Sequence, residues 1–255
     1  GRNSVDWQVK RGAAYHIAQG NYSVLGGGES NQSAEDHTVV CGGERNSVIQ
    51  AHSAIVGGRY NRIGAQYSFI GGGQSNLVSG AHSSILGGKR NIMLGSYSMI
   101  GGGWLNSGAG NRNTICAGYY NFVKGTDNII GGGYRNTISG AYQVIVGGRS
   151  NQLLAGRTAS FIGAGTNNVI TRSIAGIVSG SGNYISNTAA FIGSGINNFV
   201  YGSNSTIVAG RQNKISAGLC FIGSGNNNEI ANLGLGASSA IVAGSFNFID
   251  AGGSL

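Results

Sequence analysis

The chain has 255 residues, with 49 Gly, no Pro, 9% charged residues and 40% hydrophobic residues. Gly far exceeds its usual share of about 7%, yet the Gly-X-Y period and the Pro of collagen are missing, and low charge is the opposite of what keeps a chain disordered. Sixteen Lys and Arg against eight Asp and Glu give a net charge of +8; no apolar run approaches the roughly 18 residues of a membrane span and residues 1–11 lack the apolar core of a signal peptide, so a soluble chain without membrane insertion is expected.

Residues 1–15 read as a connecting segment and residues 16–255 as one repeat domain. Asn recurs every fifteen residues from Asn31 to Asn151, and resumes after a two-residue insertion at Asn168 to run to Asn228. Four more inserted residues, within 232–238, place the last at Asn247. Six positions before each Asn stands a branched aliphatic, from Leu25, Val40 and Ile55 through to Ile222 and Ile241. Two positions after it a second aliphatic column runs from Val48 and Ile63 to Ile230 and Ile249, broken only by Ser33 and Gly108. Two short Gly-bounded strands per coil, with a Gly content that excludes helix, predict an all-β fold. It is a parallel β-solenoid of about fifteen coils, stacked about 4.8 Å apart into a rod of about 70 Å.

Side chains alternate across a strand, so the residue eight before the Asn, mostly Ser (Ser23, Ser53, Ser68, Ser83), points inward with the aliphatic, as does the Asn itself. Inward Asn and Ser are expected to form amide and hydroxyl ladders from coil to coil. Cys41, Cys116 and Cys220 are far apart, with neither CxxC nor His/Cys metal spacing. No disulfide, metal or cofactor is expected, and all three read as buried small residues.

The outward positions of the first strand carry an apolar pattern. Where Gly stands five before the Asn, the residue seven before is large, as in Phe69, Met99, Ile129, Phe161, Phe191 and Phe221. In the other coils the bulky residue stands five before, as in Leu86, Val146, Val178, Val208 and Val242. A large residue on one coil is thereby expected to face a gap on the next. A stripe this long is too large for a soluble monomer to expose, so these eleven residues are expected to be buried against other copies of the chain.

The string SFIGGGQSNLVSGAHSSILGGKRN (68–91) resembles the left-handed β-roll heads of trimeric autotransporter adhesins of the YadA type, and resembles still more closely the Gly-Gly-x-x-Asn repeats of phage and giant-virus tail fibres. The opening GRNSVDWQVKR (1–11), followed by AQGNYSVLGGG (18–28), is similar to the segment that introduces such domains. The resemblance covers nearly the whole chain. It implies a left-handed β-roll, a homotrimer, a role in attachment to a host surface, other fibre or virion proteins at the ends, and a place on a virion tail or surface fibre, or on a bacterial cell surface. The chain departs from autotransporter heads in its fifteen-residue coil, which in them is usually nearer fourteen, and in its GGG strings, and neither a coiled-coil stalk nor a membrane anchor is expected within residues 1–255.

Nine before the Asn runs a column of Tyr22, His37, His52, Tyr67, His82 and Tyr97, continuing as Arg112, Asp127, Tyr142 and Arg157. Rings about 4.8 Å apart stack as a structural ladder at the rim of a subunit interface, or serve as a platform for sugar rings; a metal at His37, His52 and His82 lacks ligand spacing. The turn before each Asn holds Arg59, Arg90, Trp104, Tyr119 and Arg135 among other basic and aromatic residues. Such turns either draw in an anionic surface glycan or keep a rod soluble, and the Trp and Tyr favour binding. Glu29 and Glu44 share a column, near the ~5 Å carboxylate spacing of retaining glycosidases, but with Arg45 and Arg59 beside them they read as a neutralised pair. No enzyme and no catalytic residue are expected. No GxxxxGK[ST] occurs, and the charge is too thinly spread for nucleic-acid binding. The expectation is a structural and receptor-binding fibre domain that attaches through glycans, with a bacterial adhesin head or a purely structural spacer as the alternatives. An ice-binding solenoid would need a flat face of repeated Thr, which is sparse here.

Overall fold

The computed structural model describes residues 1–154, 156, 159–231 and 238–250. It is a β-solenoid, all of whose strand pairs are parallel, and no helix occurs among the described residues. The chain divides into two compact units, Gly1–Asp127 and Asn128–Leu255.

In the first unit one ladder runs through Val5–Asp6, Val24–Leu25, Val39–Val40, Ala54–Ile55, Phe69–Ile70, Ser84–Ile85, Met99–Ile100 and Thr114–Ile115. A second runs from Gln32–Ser33, Ser47–Val48 and Arg62–Ile63 to Phe122–Lys124. The second unit repeats the plan, with Ile129–Ile130 to Ala240–Ile241 on one side and Thr137–Ile138 to Phe248–Ile249 on the other. Each coil also has a third side that the aliphatic pattern does not announce. Single bridges link Lys10, Glu29, Glu44, Arg59, Gln74, Lys89, Trp104 and Tyr119 in one unit, and Tyr134 through Arg211 to Ser245 in the other.

The connecting segment supplies the first rung: Val5 and Asp6 pair with Val24 and Leu25, and Lys10 bridges to Glu29. Both insertions leave the ladders in register, since Gln143 pairs with Ser160 and Glu229 with Phe248. Arg157 and residues 232–237 of the second insertion lie outside the described residues.

Both aliphatic columns are buried, with Ile55, Ile63, Ile70, Val78, Ile162 and Ile170 fully inaccessible. Burying each such side chain contributes about 1.5–3 kcal/mol, and this repeated term drives coil closure. The two interruptions are compensated locally. At Gly108 the thioether of Met93 occupies the space of the missing side chain. Ser33 shares a 2.6 Å hydroxyl–hydroxyl hydrogen bond with Thr38.

The Asn column ties rungs together through backbone as well as side chains. In Asn76 the Nδ2 donates to the carbonyls of Gly72 and Gly88, each at 3.0 Å, while its Oδ1 accepts from the backbone N–H of Asn91 at 2.9 Å. The amide-to-amide ladder expected from sequence is complete in the later rungs, where Asn183, Asn198, Asn213 and Asn228 each donate to the Oδ1 one rung earlier.

Tight corners set the remaining composition. The Gly three before the Asn has positive φ on every rung, as at Gly73 (φ 90), where a Cβ would collide with the carbonyl oxygen of Gly88. Residues one and nine before the Asn are also left-handed though mostly not Gly, for example Arg45 (φ 52), Tyr60 (φ 58), His52 (φ 56) and Tyr67 (φ 54). Each non-Gly residue held there costs on the order of 1–2 kcal/mol, so the neighbouring contacts must over-determine it.

Candidate recognition surface

The identical left-handed backbone at each rung sends the side chains of the ninth-before column in one direction. Tyr22, His37, His52, Tyr67, His82 and Tyr97 therefore form a single exposed stack, with ring centroids 4.8 to 5.2 Å apart and planes within 8°. Each stacked pair contributes about 0.5–1.5 kcal/mol, comparable to the strain of the backbone that carries it. The ring faces are covered by one another. The column presents only ring edges along its side, with Tyr hydroxyls and imidazole nitrogens in the order Tyr, His, His, Tyr, His, Tyr.

The column continues as an ion pair between Arg112 and Asp127, with Nε to Oδ1 at 2.6 Å and Nη2 to Oδ2 at 2.8 Å. The hydrogen bond from Arg112 holds the Asp127 carboxyl below the usual Asp range. At the head of the column Asp36 is likewise lowered, chiefly by the hydrogen bond from the Asn21 backbone at 2.7 Å.

The turn residues form a second exposed strip. Arg59 and Arg90 are exposed, and Arg59 donates to Gln74 Oε1 at 3.3 Å. Lys89 lies 5.7 Å above the Trp104 ring, which is 4.9 Å from Tyr119, itself edge-on to Tyr120. Trp104 remains 43% exposed. In the second unit Arg135 and Arg149 both lie over the Tyr134 ring. The structure thus brings Lys89, Trp104 and Tyr119 together in one patch and leaves Arg59 three rungs away from Trp104 in the same bridge column. Cation–aromatic neighbours at exposed sites contribute about 0.5–1 kcal/mol, so the patch is ordered before any ligand arrives.

Glu29 pairs with Lys10 at 2.8 Å, and this hydrogen bond lowers its carboxyl; Glu44 pairs with Arg45 at 3.7 Å. Among the described residues no group of three or more His, Cys, Asp or Glu is placed to hold a metal.

The apolar stripe points outward. Phe69, Leu86, Ile129, Val146, Phe161, Val178, Phe191, Val208, Phe221 and Val242 are exposed, and Met99 is half-buried. One reading of this region needs correction. Cys41 and Cys116 are exposed, and only Cys220 is buried, because five-before-Asn is an outward position and eight-before an inward one. The large residues do sit beside small ones on the adjacent coils, Phe69 beside Ala54 and Ser84, and Phe191 beside Gly176 and Thr206. The Phe ring also lies over the Gly of its own rung, and that Gly is required because the carbonyl of the next rung closes on it, Leu86 on Gly71 and Val208 on Gly193.

On the second face, where Phe199 and Tyr201 stand out in the sequence as aromatic exceptions among polar residues, these two group with Tyr184, with ring centroids 5.9 and 6.4 Å apart; the sequence alone does not single out Tyr184. Only the cross-rung pairing of Tyr184 with Phe199 makes it visible. No protein-family model matches the chain, and the comparison with curated proteins finds no match.

Proposed function

We propose that this chain is a receptor-binding fibre domain which assembles as a homotrimer and attaches a virus or phage to a host surface through glycans. The observation that carries the reading is the exposed basic and aromatic strip along the third side of the first unit, culminating in Lys89, Trp104 and Tyr119. Arg, Trp and Tyr are the side chains enriched at recognition surfaces, and basic groups favour anionic glycans. Repetition along a solenoid multiplies shallow contacts, and three chains multiply them again. The outward apolar stripe supports assembly, since contiguous exposed apolar surface of this extent marks an interface.

The spacer alternative is favoured by one feature: the stacked rings satisfy each other and need no ligand. A bacterial adhesin head would use the same surfaces. The test is a glycan-array and whole-cell binding assay on oligomer sized by light scattering, with Trp104→Ala/Tyr119→Ala and His52→Ala/Tyr67→Ala variants. Saturable binding lost in the first variant with the oligomer intact is the expected result. A monodisperse monomer overturns the trimer, and no binding to any host surface leaves the spacer.

A further inference from the structure

A cleft of about 460 Å³ opens in the first unit where the N-terminal segment passes over the second ladder. Tyr15 and His16 form one wall, Arg45 and Ser30 come from the turn column, and Ser47 and Arg62 from adjacent strands of the second ladder. The wall is fixed in place. Gln8 donates to the His16 carbonyl at 2.8 Å and accepts from the Asn31 backbone at 2.5 Å, while Ile17 and Gln19 bond the backbone of Ser33. Gly12 lets the His16 ring seat close to Ser30, since a Cβ there would stand 2.8 Å from Ser30 Oγ and 3.4 Å from the imidazole.

Three groups at this cleft lack the partners that the rest of the fold provides. The Nδ1 of His16 is buried without a hydrogen-bond partner. Arg62 makes no ion pair or side-chain hydrogen bond among the described residues, and its charge lines the opening. Tyr15 is 55% exposed, with His16 edge-on to it, so a ring face is open here as it is not in the stacked column. A buried unpaired polar atom costs free energy that a ligand can recover. The nearest carboxylates, Glu29 and Glu44, are engaged by Lys10 and Arg45. Ser47 Oγ donates to Gln32 Oε1 at 2.9 Å, which leaves the Gln32 amide N–H free to donate.

We propose that this cleft binds a carboxylate-bearing sugar unit, with Arg62 on the carboxylate, Ser30, Gln32 and His16 on ring hydroxyls, and Tyr15 beneath the apolar face of the sugar. The volume lies within the range of small-ligand sites. The proposal deepens the attachment reading and rests on it for the source of the sugar.

The test is isothermal titration and saturation-transfer NMR on the full chain with glucuronic acid, N-acetylneuraminic acid, galactose and inorganic phosphate as probes. Saturable binding of a sugar acid at millimolar concentration is expected, weakened roughly tenfold or more in Arg62→Gln and in Tyr15→Ala, and unchanged in Lys124→Gln, an exposed cation outside both surfaces. Arg62→Lys, which keeps the charge and loses the fork, is expected to fall between. No saturable binding, equal binding of galactose or of phosphate alone, or an unchanged affinity in Arg62→Gln overturns the site. Whole-cell binding separates the two readings: attachment that survives Arg62→Gln while no sugar acid binds sinks the cleft alone. Sugar-acid binding without attachment to any host cell sinks the fibre reading alone.

Discussion

The Phe69 ring lies 3.4 Å from the point where Gly71, two residues on in the same rung, would carry a Cβ. The relation recurs between Phe161 and Gly163 at 3.2 Å, Phe191 and Gly193 at 3.6 Å, and Phe221 and Gly223 at 3.4 Å. A phenyl ring laid along the rung lies over the position that Val146, Val178 or Val208 fills on intervening rungs, so two different sequences both present apolar surface there.

Neighbouring glycines are predicted to differ sharply. A Cβ on Gly72 meets nothing within 4 Å, and later rungs place Ala117 and Ala164 in that column. Gly72→Ala is therefore expected to be neutral or to stabilise by about 0.4–1 kcal/mol through the unfolded chain. Gly73→Ala is expected to cost roughly 2–4 kcal/mol, from a φ of 90 and a collision with the next rung. Urea unfolding of the two variants checks both.

Stacking and backbone strain at His52 are separable. His52→Ala removes two ring contacts and keeps the left-handed residue, and is expected to lower stability by about 1–3 kcal/mol. His52→Gly removes the same contacts but relieves the strain, so it should be more stable than the Ala variant by about 1 kcal/mol. Equal stability of the two variants in thermal unfolding would show that the corner carries no strain.

Replacing Asn76 by Ala removes three hydrogen bonds and strands the Asn91 N–H and the Gly72 carbonyl, while the Gly88 carbonyl keeps the Gln74 N–H. A loss of about 2–5 kcal/mol is expected. Hydrogen exchange should show the Asn91 amide losing its protection before those of distant rungs.

Thiol labelling reads assembly directly. Cys41 and Cys116 are exposed on the column of the apolar stripe and Cys220 is buried. In the dissociated chain the first two should react rapidly and Cys220 only on unfolding. In the assembled oligomer all three should be slow, and rapid labelling of Cys41 and Cys116 there would move the interface to another face.

The Arg112–Asp127 pair predicts the sense of one acid dependence. Asp127 has its pKa lowered from 3.8 by the Arg112 hydrogen bond, so the folded state binds its proton less readily than the unfolded one. The pair's contribution is present above that value and lost as the pH falls through the lower folded one. Asp127→Asn should therefore destabilise slightly at neutral pH and flatten the acid limb of a stability–pH curve, and a parallel shift at all pH values would exclude linkage at this site.

The period, the two strands of each coil and the buried columns were legible because stacked rungs repeat each side chain's environment, so Ile55, Ile70 and Ile85 face the same neighbours. The third side was not, since its single bridges stand just before left-handed corners at Arg45, Tyr60 and Leu105, and the bridged position accepts Glu44, Arg59 or Trp104 alike. The ring column and its stacking were legible from spacing alone, because rings on successive rungs stand about 4.8 Å apart, while the left-handed φ of each residue that carries them was not. The sugar-acid cleft left no periodic signal. Tyr15 and His16 belong to the irregular first coil, and Arg62 looked like any solvated residue until the N-terminal segment was placed across its strand.

The Asn of each rung bonds only its own coil and the coils on either side. Removal of one complete coil, such as residues 69–83, would therefore leave every remaining Asn with bonds of the kind it already has. The number of rungs is then a free variable of this fold. Gene duplication or deletion in steps of forty-five nucleotides would add or remove rungs without redesigning the Asn ladder.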